Sequence, residues 1–337
     1  MTTPATSIKT SPQPTPTIGR FVRRNSLQIG IISVLVVMWI FLMIAGPRTF
    51  LNKEIYISFA QSVPYYGIMA IPITLLVIAK EIDLSFGSIM AVAVMAFVGV
   101  FNKSGSPLLA LIACLGTGTL VGLLNGIIVV KLGIPSLITT IGTQFFWRGV
   151  VLVVTNASIQ PVGAAEAADP VLHELLVGRL FGVIPAQFLW MILIAFLTWL
   201  LLNRHSFGAH VYLIGDNDHS AELMGVNVSQ RRILMFGLVG LAAGFAGIIT
   251  TYDIGTFFTS LGDGYLLKTL AAVFLGGTSV LGGTGTVLGT FIGCFIIGAI
   301  EPGTVAINLT GFWTQLIYGF IIVVSVAMHT ILRRRIT

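Results

Sequence analysis

The sequence predicts an all-α, polytopic membrane protein of about ten transmembrane helices with both termini cytoplasmic. Three observations carry this expectation. Of the 337 residues, 55% are hydrophobic and only 9% are charged, whereas a soluble domain carries roughly 25% charged residues. The apolar residues fall into runs approaching the ~20 residues that a bilayer span needs. Lysine and arginine divide unevenly between alternate connections, as they do when cationic loops stay in the cytoplasm. This composition excludes a soluble enzyme, a disordered chain, a disulfide-rich secreted domain and a one-span receptor with a large ectodomain.

Residues 1–26, rich in Thr, Pro and Ser, cannot bury a core and read as a flexible cytoplasmic tail. The run 27–44 lacks a small-x-small cleavage site, so it reads as a first span and not a removed signal peptide. Further spans are expected at 57–79, 86–101, 108–130, 134–154, 184–202, 233–250, 268–281, 286–300 and 312–331. Several are short, and 268–300 reads either as two short helices or as one broken element. Together 27–332 form one transmembrane domain, followed by a basic cytoplasmic tail at 333–337.

Ten spans place Lys9, Arg20, Arg23, Arg24, Lys80, Lys131, Arg204, Arg231, Arg232, Arg333, Arg334 and Arg335 inside. Arg48, Lys53, Lys103, Arg148, Arg179 and Lys268 fall outside, a bias of twelve to six. The net charge of +6 therefore reads as loop cations and not as a nucleic-acid surface, since no dense Lys/Arg cluster with interleaved aromatics occurs. The long outer connection is 155–183 and the long inner one is 203–232.

Small-residue patterns dominate the motifs. Gly118, Gly122 and Gly126 recur every four residues, as do Gly285, Gly289 and Gly293, with a shorter version at Gly240 and Gly244. Small residues at this spacing make one smooth helix face on which another backbone can rest within lipid. Gly116-Thr117-Gly118 and Gly283-Thr284-Gly285 mimic nucleotide loops, but the next glycine lies four residues on and no acidic partner follows. No Gly-x-x-x-x-Gly-Lys-Ser/Thr occurs, so any ATP that drives this protein must be bound by another chain.

The sharpest polar interruption runs from Lys80 to Ser88 and includes Asp83 and Ser85. Charges at the bilayer centre cost about 2.5–3.5 kcal/mol each, so this stretch belongs at a helix end or in a protein-lined cavity. It reads equally as a cytoplasmic turn with Asp83 or Ser85 as a cap, or as a structured turn near the pathway or a partner interface. Asn125, Thr143, Gln144 and Arg148 are polar positions within spans, beside Phe145, Phe146 and Trp147. They read as a substrate pathway for a hydroxylated solute, or as interhelical glue with a snorkelling arginine.

No catalytic constellation emerges. His173, His205, His210 and His219 lie in loops, His329 lies near the last helix end, and none has metal-ligand spacing. The two cysteines, Cys114 and Cys294, sit in apolar runs and read as core filling. Neither a metal nor a cofactor is expected. In the inner connection, Asp218 or Ser220 could cap a short helix through Ala221, Glu222, Leu223 and Met224, ended by Gly225. Leu223 and Met224 on its cytosolic side suit insertion into a partner's groove; an amphipathic loop lying on the membrane is the plainer reading.

Four stretches together make the sequence resemble the ribose-type permease subunits of bacterial ATP-binding-cassette (ABC) importers for simple sugars. They are Ile82-Asp83-Leu84-Ser85-Phe86-Gly87-Ser88; Gly122-Leu123-Leu124-Asn125-Gly126 running into Lys131-Leu132-Gly133-Ile134-Pro135 and Ile141-Gly142-Thr143; Ile214-Gly215-Asp216-Asn217 with Ser220-Ala221 and Met224-Gly225-Val226; and Leu270-Ala271-Ala272-Val273-Phe274-Leu275-Gly276-Gly277-Thr278 continuing through Gly282-Gly283 to Gly293. Two departures stand out. Lys80-Glu81 replaces a more usual glycine pair, and Thr284 sits where a basic residue is common.

The resemblance implies a permease core of two copies or two similar chains in the inner membrane. It implies cytosolic ATPase subunits, an external sugar-binding protein, and alternating access driven by the ATPase. Asp216, Asn217, Ser220, Ala221, Leu223, Met224 and Gly225 would then form the ATPase-coupling element, and 155–183 would receive the binding protein. The alternative is an ion-coupled secondary transporter of a small polar solute. It expects an acidic residue deep in a span, whereas Asp83, Asp253, Asp263 and Glu301 all fall near expected ends.

Overall fold

The computed structural model describes residues 26–334. Residues 1–25 and 335–337, and with them most of the two expected tails, lie outside the described residues. The first helix, α1 (Ser26–Ala45), is apolar on every side, and only 11% of its span is buried, so it lies at the periphery. After the short α2 (Pro47–Phe50) come α3 (Lys53–Ser62) and α4 (Pro64–Ile78), bent by 52° at Val63. Pro64 causes the bend, because its ring removes a helical N–H and crowds the preceding turn. In α4 every residue from Tyr66 to Ile78 is buried, so it is an inner axis of the bundle.

Next follow α5 (Phe86–Ser104), α6 (Pro107–Leu132) and α7 (Ser136–Thr155). The outer connection then folds on itself. Strand β1 (Gln160–Pro161) precedes α8 (Gly163–Ala168) and α9 (Pro170–Val177), and β2 (Arg179–Leu180) pairs antiparallel with β3 (Ile184–Pro185). Helix α10 (Ala186–Arg204) leads to α11 (Ser206–Asp216), α12 (Asp218–Leu223) and the long α13 (Val228–Ile254). After α13, β4 (Thr256–Phe257) pairs antiparallel with β1, tying the 155–185 region to the same end of the bundle. The chain closes with α14 (Tyr265–Leu275), α15 (Val287–Ala306) and α16 (Phe312–Arg334).

Among the described residues, seven helices are long and apolar enough to cross a membrane, or eight if α3 and α4 form one bent span. The sequence expectation of about ten is not reached by that measure. The segment expected at 268–281 forms only the 11-residue α14, because Gly276 and Gly277 end it, and the chain then runs without helix to Val287. The last expected span is represented by a shorter apolar stretch, Phe312–Ala327.

Helices α6 and α13 form the most intimate pair in the bundle, and the glycines explain why. A methyl group on Gly122 would strike the Phe236 carbonyl and lie 3.1 Å from the Gly240 Cα. One on Gly118 would lie 2.5 Å from the Gly240 oxygen and 3.3 Å from the Gly244 Cα, and one on Gly126 would lie 2.8 Å from the Ile233 Cα. The two glycine stripes therefore face each other across one seam. Gly289 and Gly293 likewise back onto Gly276 and Ala272 of the preceding segment, and Gly285 rests on Ile78 and Thr278.

Candidate functional site

The connection expected at 203–232 is helical and firmly tied down. Asn217 has extended backbone angles, and its Oδ1 accepts the Ser220 N–H at 2.9 Å, so it caps α12. The cap is thus one residue earlier than Asp218 and three earlier than Ser220. The Asp218 carboxylate accepts instead from the His219 N–H and pairs with Arg232. Ala221 turns inward and is buried, while Leu223 and Met224 are 77% and 69% exposed. Gly225 has φ +83°, a left-handed conformation that reverses the chain directly after these two residues.

Contacts at three residues, Gly215, Asp216 and Arg232, fix this element to the helical bundle. Gly215 presses against the Ile78 carbonyl, and a Cβ there would also lie 2.6 Å from the Gly283 nitrogen. The Gly283 N–H donates to the same Ile78 oxygen at 2.9 Å. Lys80 Nζ donates to the Asp216 carbonyl at 3.0 Å. Arg232 pairs through Nε with Glu81 at 2.9 Å and through Nη2 with Asp218 at 3.3 Å. Burial pushes the Glu81 carboxyl up, and the Ser136 hydroxyl and the Arg232 charge offset part of that rise. Burial works the same way on Asp218, but Arg232 and the nearby N–H groups outweigh it and hold that carboxyl below its ordinary value. Neither Gly215 nor the Glu81–Arg232 pair stood out in the sequence as a functional contact.

The polar stretch before α5 is a buried turn. Asp83 is fully buried, and its Oδ1 accepts from the Ser85 N–H at 2.7 Å and the Ser85 hydroxyl at 2.6 Å. Asn125, also fully buried on the glycine face of α6, donates to that hydroxyl at 2.7 Å. Among the described residues, Asp83 Oδ2 and Asn125 Oδ1 have no hydrogen-bond partner. Burial pushes the Asp83 carboxyl up from its ordinary value, and the Ser85 hydrogen bonds recover part of the difference.

The structure gives the four pathway candidates separate positions. Asn125 belongs to the turn just described. The Thr143 hydroxyl returns to the Thr140 carbonyl of its own helix at 3.4 Å, and Gln144 is half-buried. Arg148 is committed to protein. It donates to the Thr259 carbonyl, to Leu261 at 2.9 Å and to Gly87 at 3.3 Å, and pairs with Asp263 at 2.5 Å. It thereby fastens α7 to the segment before α14 and to the start of α5. Among the described residues no group of three or more His, Cys, Asp or Glu side chains could hold a metal ion.

Residues 55–326 match a family described as the permease component of branched-chain amino acid transport systems. The chain is 32% identical over 282 residues to the ribose import permease protein RbsC of Escherichia coli K12, covering 83% of this chain and 87% of that protein. It is 34% identical over 279 residues to the autoinducer 2 import system permease protein LsrC of Yersinia pestis, covering 82% of this chain and 77% of that protein. No solved structure matches the chain.

Proposed function

Since the chain belongs to the permease-component family of branched-chain amino acid transport systems, we propose that it is the membrane-spanning permease subunit of an ABC importer and that it carries a simple sugar across the inner membrane. The observation that carries this is the short helix α12, held on the bundle by Gly215, Lys80 and Arg232 and presenting Leu223 and Met224 outward. An exposed apolar pair on a rigid mount suits a groove in a cytosolic ATPase. The similarity to ribose and autoinducer 2 permeases favours a small polyhydroxylated solute.

In this reading the chain itself performs no chemistry. ATP hydrolysis on the partner pulls α12, and helices packed through glycine seams change their relative positions as rigid bodies. Two permease chains enclose the path, and an external sugar-binding protein docks on the folded 155–185 region. The family match also weighs against the ion-coupled alternative. Reconstitution tests the proposal. In vesicles, the chain alone moves no sugar uphill, and adding the partner ATPase, ATP and binding protein produces uptake. Uphill transport without any ATPase overturns it.

A further inference from the structure

At the end of α4 opposite the coupling helix, five elements surround a cavity of about 510 Å3. It opens between α2, α3, the start of α4, the start of α14 and the end of α15. One wall is aromatic. The Tyr265 ring lies 6.4 Å from Tyr65 and 6.5 Å from Tyr66. The Tyr65 and Tyr66 hydroxyls are tethered behind the wall. Tyr65 donates to Asp253, whose carboxylate also accepts from Gln61 at 3.0 Å and Gln187 at 2.7 Å, and Tyr66 donates to the Cys294 carbonyl at 2.5 Å. These rings are fixed before any ligand arrives. The cavity is also lined by the Lys268–Glu301 ion pair, closed at 2.7 Å, and by the hydroxyl-bearing Ser58.

We propose that this cavity is a low-affinity sugar-binding vestibule, in which the aromatic wall carries the C–H face of the ring and the Lys268–Glu301 pair binds adjacent hydroxyl groups. The site rests on the sugar-permease reading above. Its chemistry selects a neutral polyol. Lysine has three donors and glutamate two oxygens, so after pairing both retain hydrogen-bonding capacity. Their charges cancel, so the pair itself carries no net charge with which to hold an anion or a cation. A zwitterionic amino acid would need its two charges met at separate places, whereas here they are joined. A pocket of this size, mostly apolar with a few convergent polar groups, matches small-molecule sites in general.

The test uses the full-length chain with Ser58→Cys in lipid nanodiscs, where the native Cys114 and Cys294 are buried. Labelling of the new thiol by a hydrophilic maleimide is timed with and without a mixed panel of ribose, xylose, arabinose, glucose and galactose. The panel should slow labelling, by about threefold where it stands at twice its dissociation constant, following 1 + [L]/Kd. Adding Lys268→Met or Tyr265→Ala should abolish protection, and Tyr265→Phe, which keeps the ring, should retain it. Protection by leucine in place of sugars overturns the site. Sugar uptake by the assembled importer without any protection at position 58 overturns the site and leaves the permease function standing. Failure of the assembled importer to take up any sugar overturns that function and the site with it.

Discussion

Arg232 holds Glu81 across 2.9 Å, joining the first turns of α13 to the turn that follows α4. Glu81 is 9% exposed and Arg232 21%, so the pair is mostly shielded from water. Breaking a buried pair from one side leaves an uncompensated charge. Arg232→Met should therefore destabilise the protein by about 1–3 kcal/mol, toward the lower end because water still reaches the guanidinium. Adding Glu81→Gln should recover part of the loss. Thermal unfolding of the two single variants and the double variant measures this, and strictly additive losses would exclude a direct pairing energy.

Leu223→Asp with Met224→Asp should leave the protein inserted and folded, because both side chains are exposed and contribute little to the core. Burying each in a partner groove is worth about 1.5–3 kcal/mol. The double change should thus lower the affinity for the ATPase by roughly a hundredfold or more. Co-purification with the ATPase reads this out, and an undiminished complex refutes the docking assignment.

Gly122→Leu should cost about 1–3 kcal/mol or more and stop transport, since its side chain would have to displace the Phe236 carbonyl. Substituting Gly116 in the same helix should be mild, because nothing lies within 4 Å of a Cβ there. Melting temperature and uptake separate the two variants, and a Gly122→Leu protein that transports normally counts against the seam as a functional contact.

Asp83 gives a pH dependence of defined sign. Burial raises its carboxyl in the folded state, so the favourable contribution is complete while the group stays protonated and is lost as pH rises through the folded-state value. Asp83→Asn retains an oxygen for the Ser85 N–H and carries no charge. The variant should gain thermal stability relative to the parent at about pH 8, and the difference should shrink toward about pH 5. A gap that widens on acidification would reverse the sign of the argument.

The helical membrane class was readable because hydropathy needs no knowledge of neighbours. The glycine repeats were readable for a similar reason, since only small residues permit close backbones. Which repeat meets which was not, because Gly118 and Gly240 are brought together only by the fold. Neighbouring residues competed at the start of α12: Asn217, Asp218 and Ser220 are all good caps, and backbone angles decide among them. Arg148 illustrates the larger loss. Beside aromatic residues in a span it resembles a ligand donor, yet its partners Thr259, Leu261 and Asp263 lie more than a hundred positions away. Tyr65, Tyr265, Lys268 and Glu301 were similarly scattered, each unremarkable until α4, α14 and α15 met.

The enclosure of α4 from Tyr66 to Ile78 has a consequence for how freely its sequence can vary. A helix facing acyl chains tolerates almost any oily residue, because lipid flows to fit. From Tyr66 to Ile78 there is no such fluid, only fixed neighbours, and close-packed interiors register single methylenes. A library that shuffles aliphatic residues at constant hydropathy should thus leave most α1 variants active and inactivate most α4 variants.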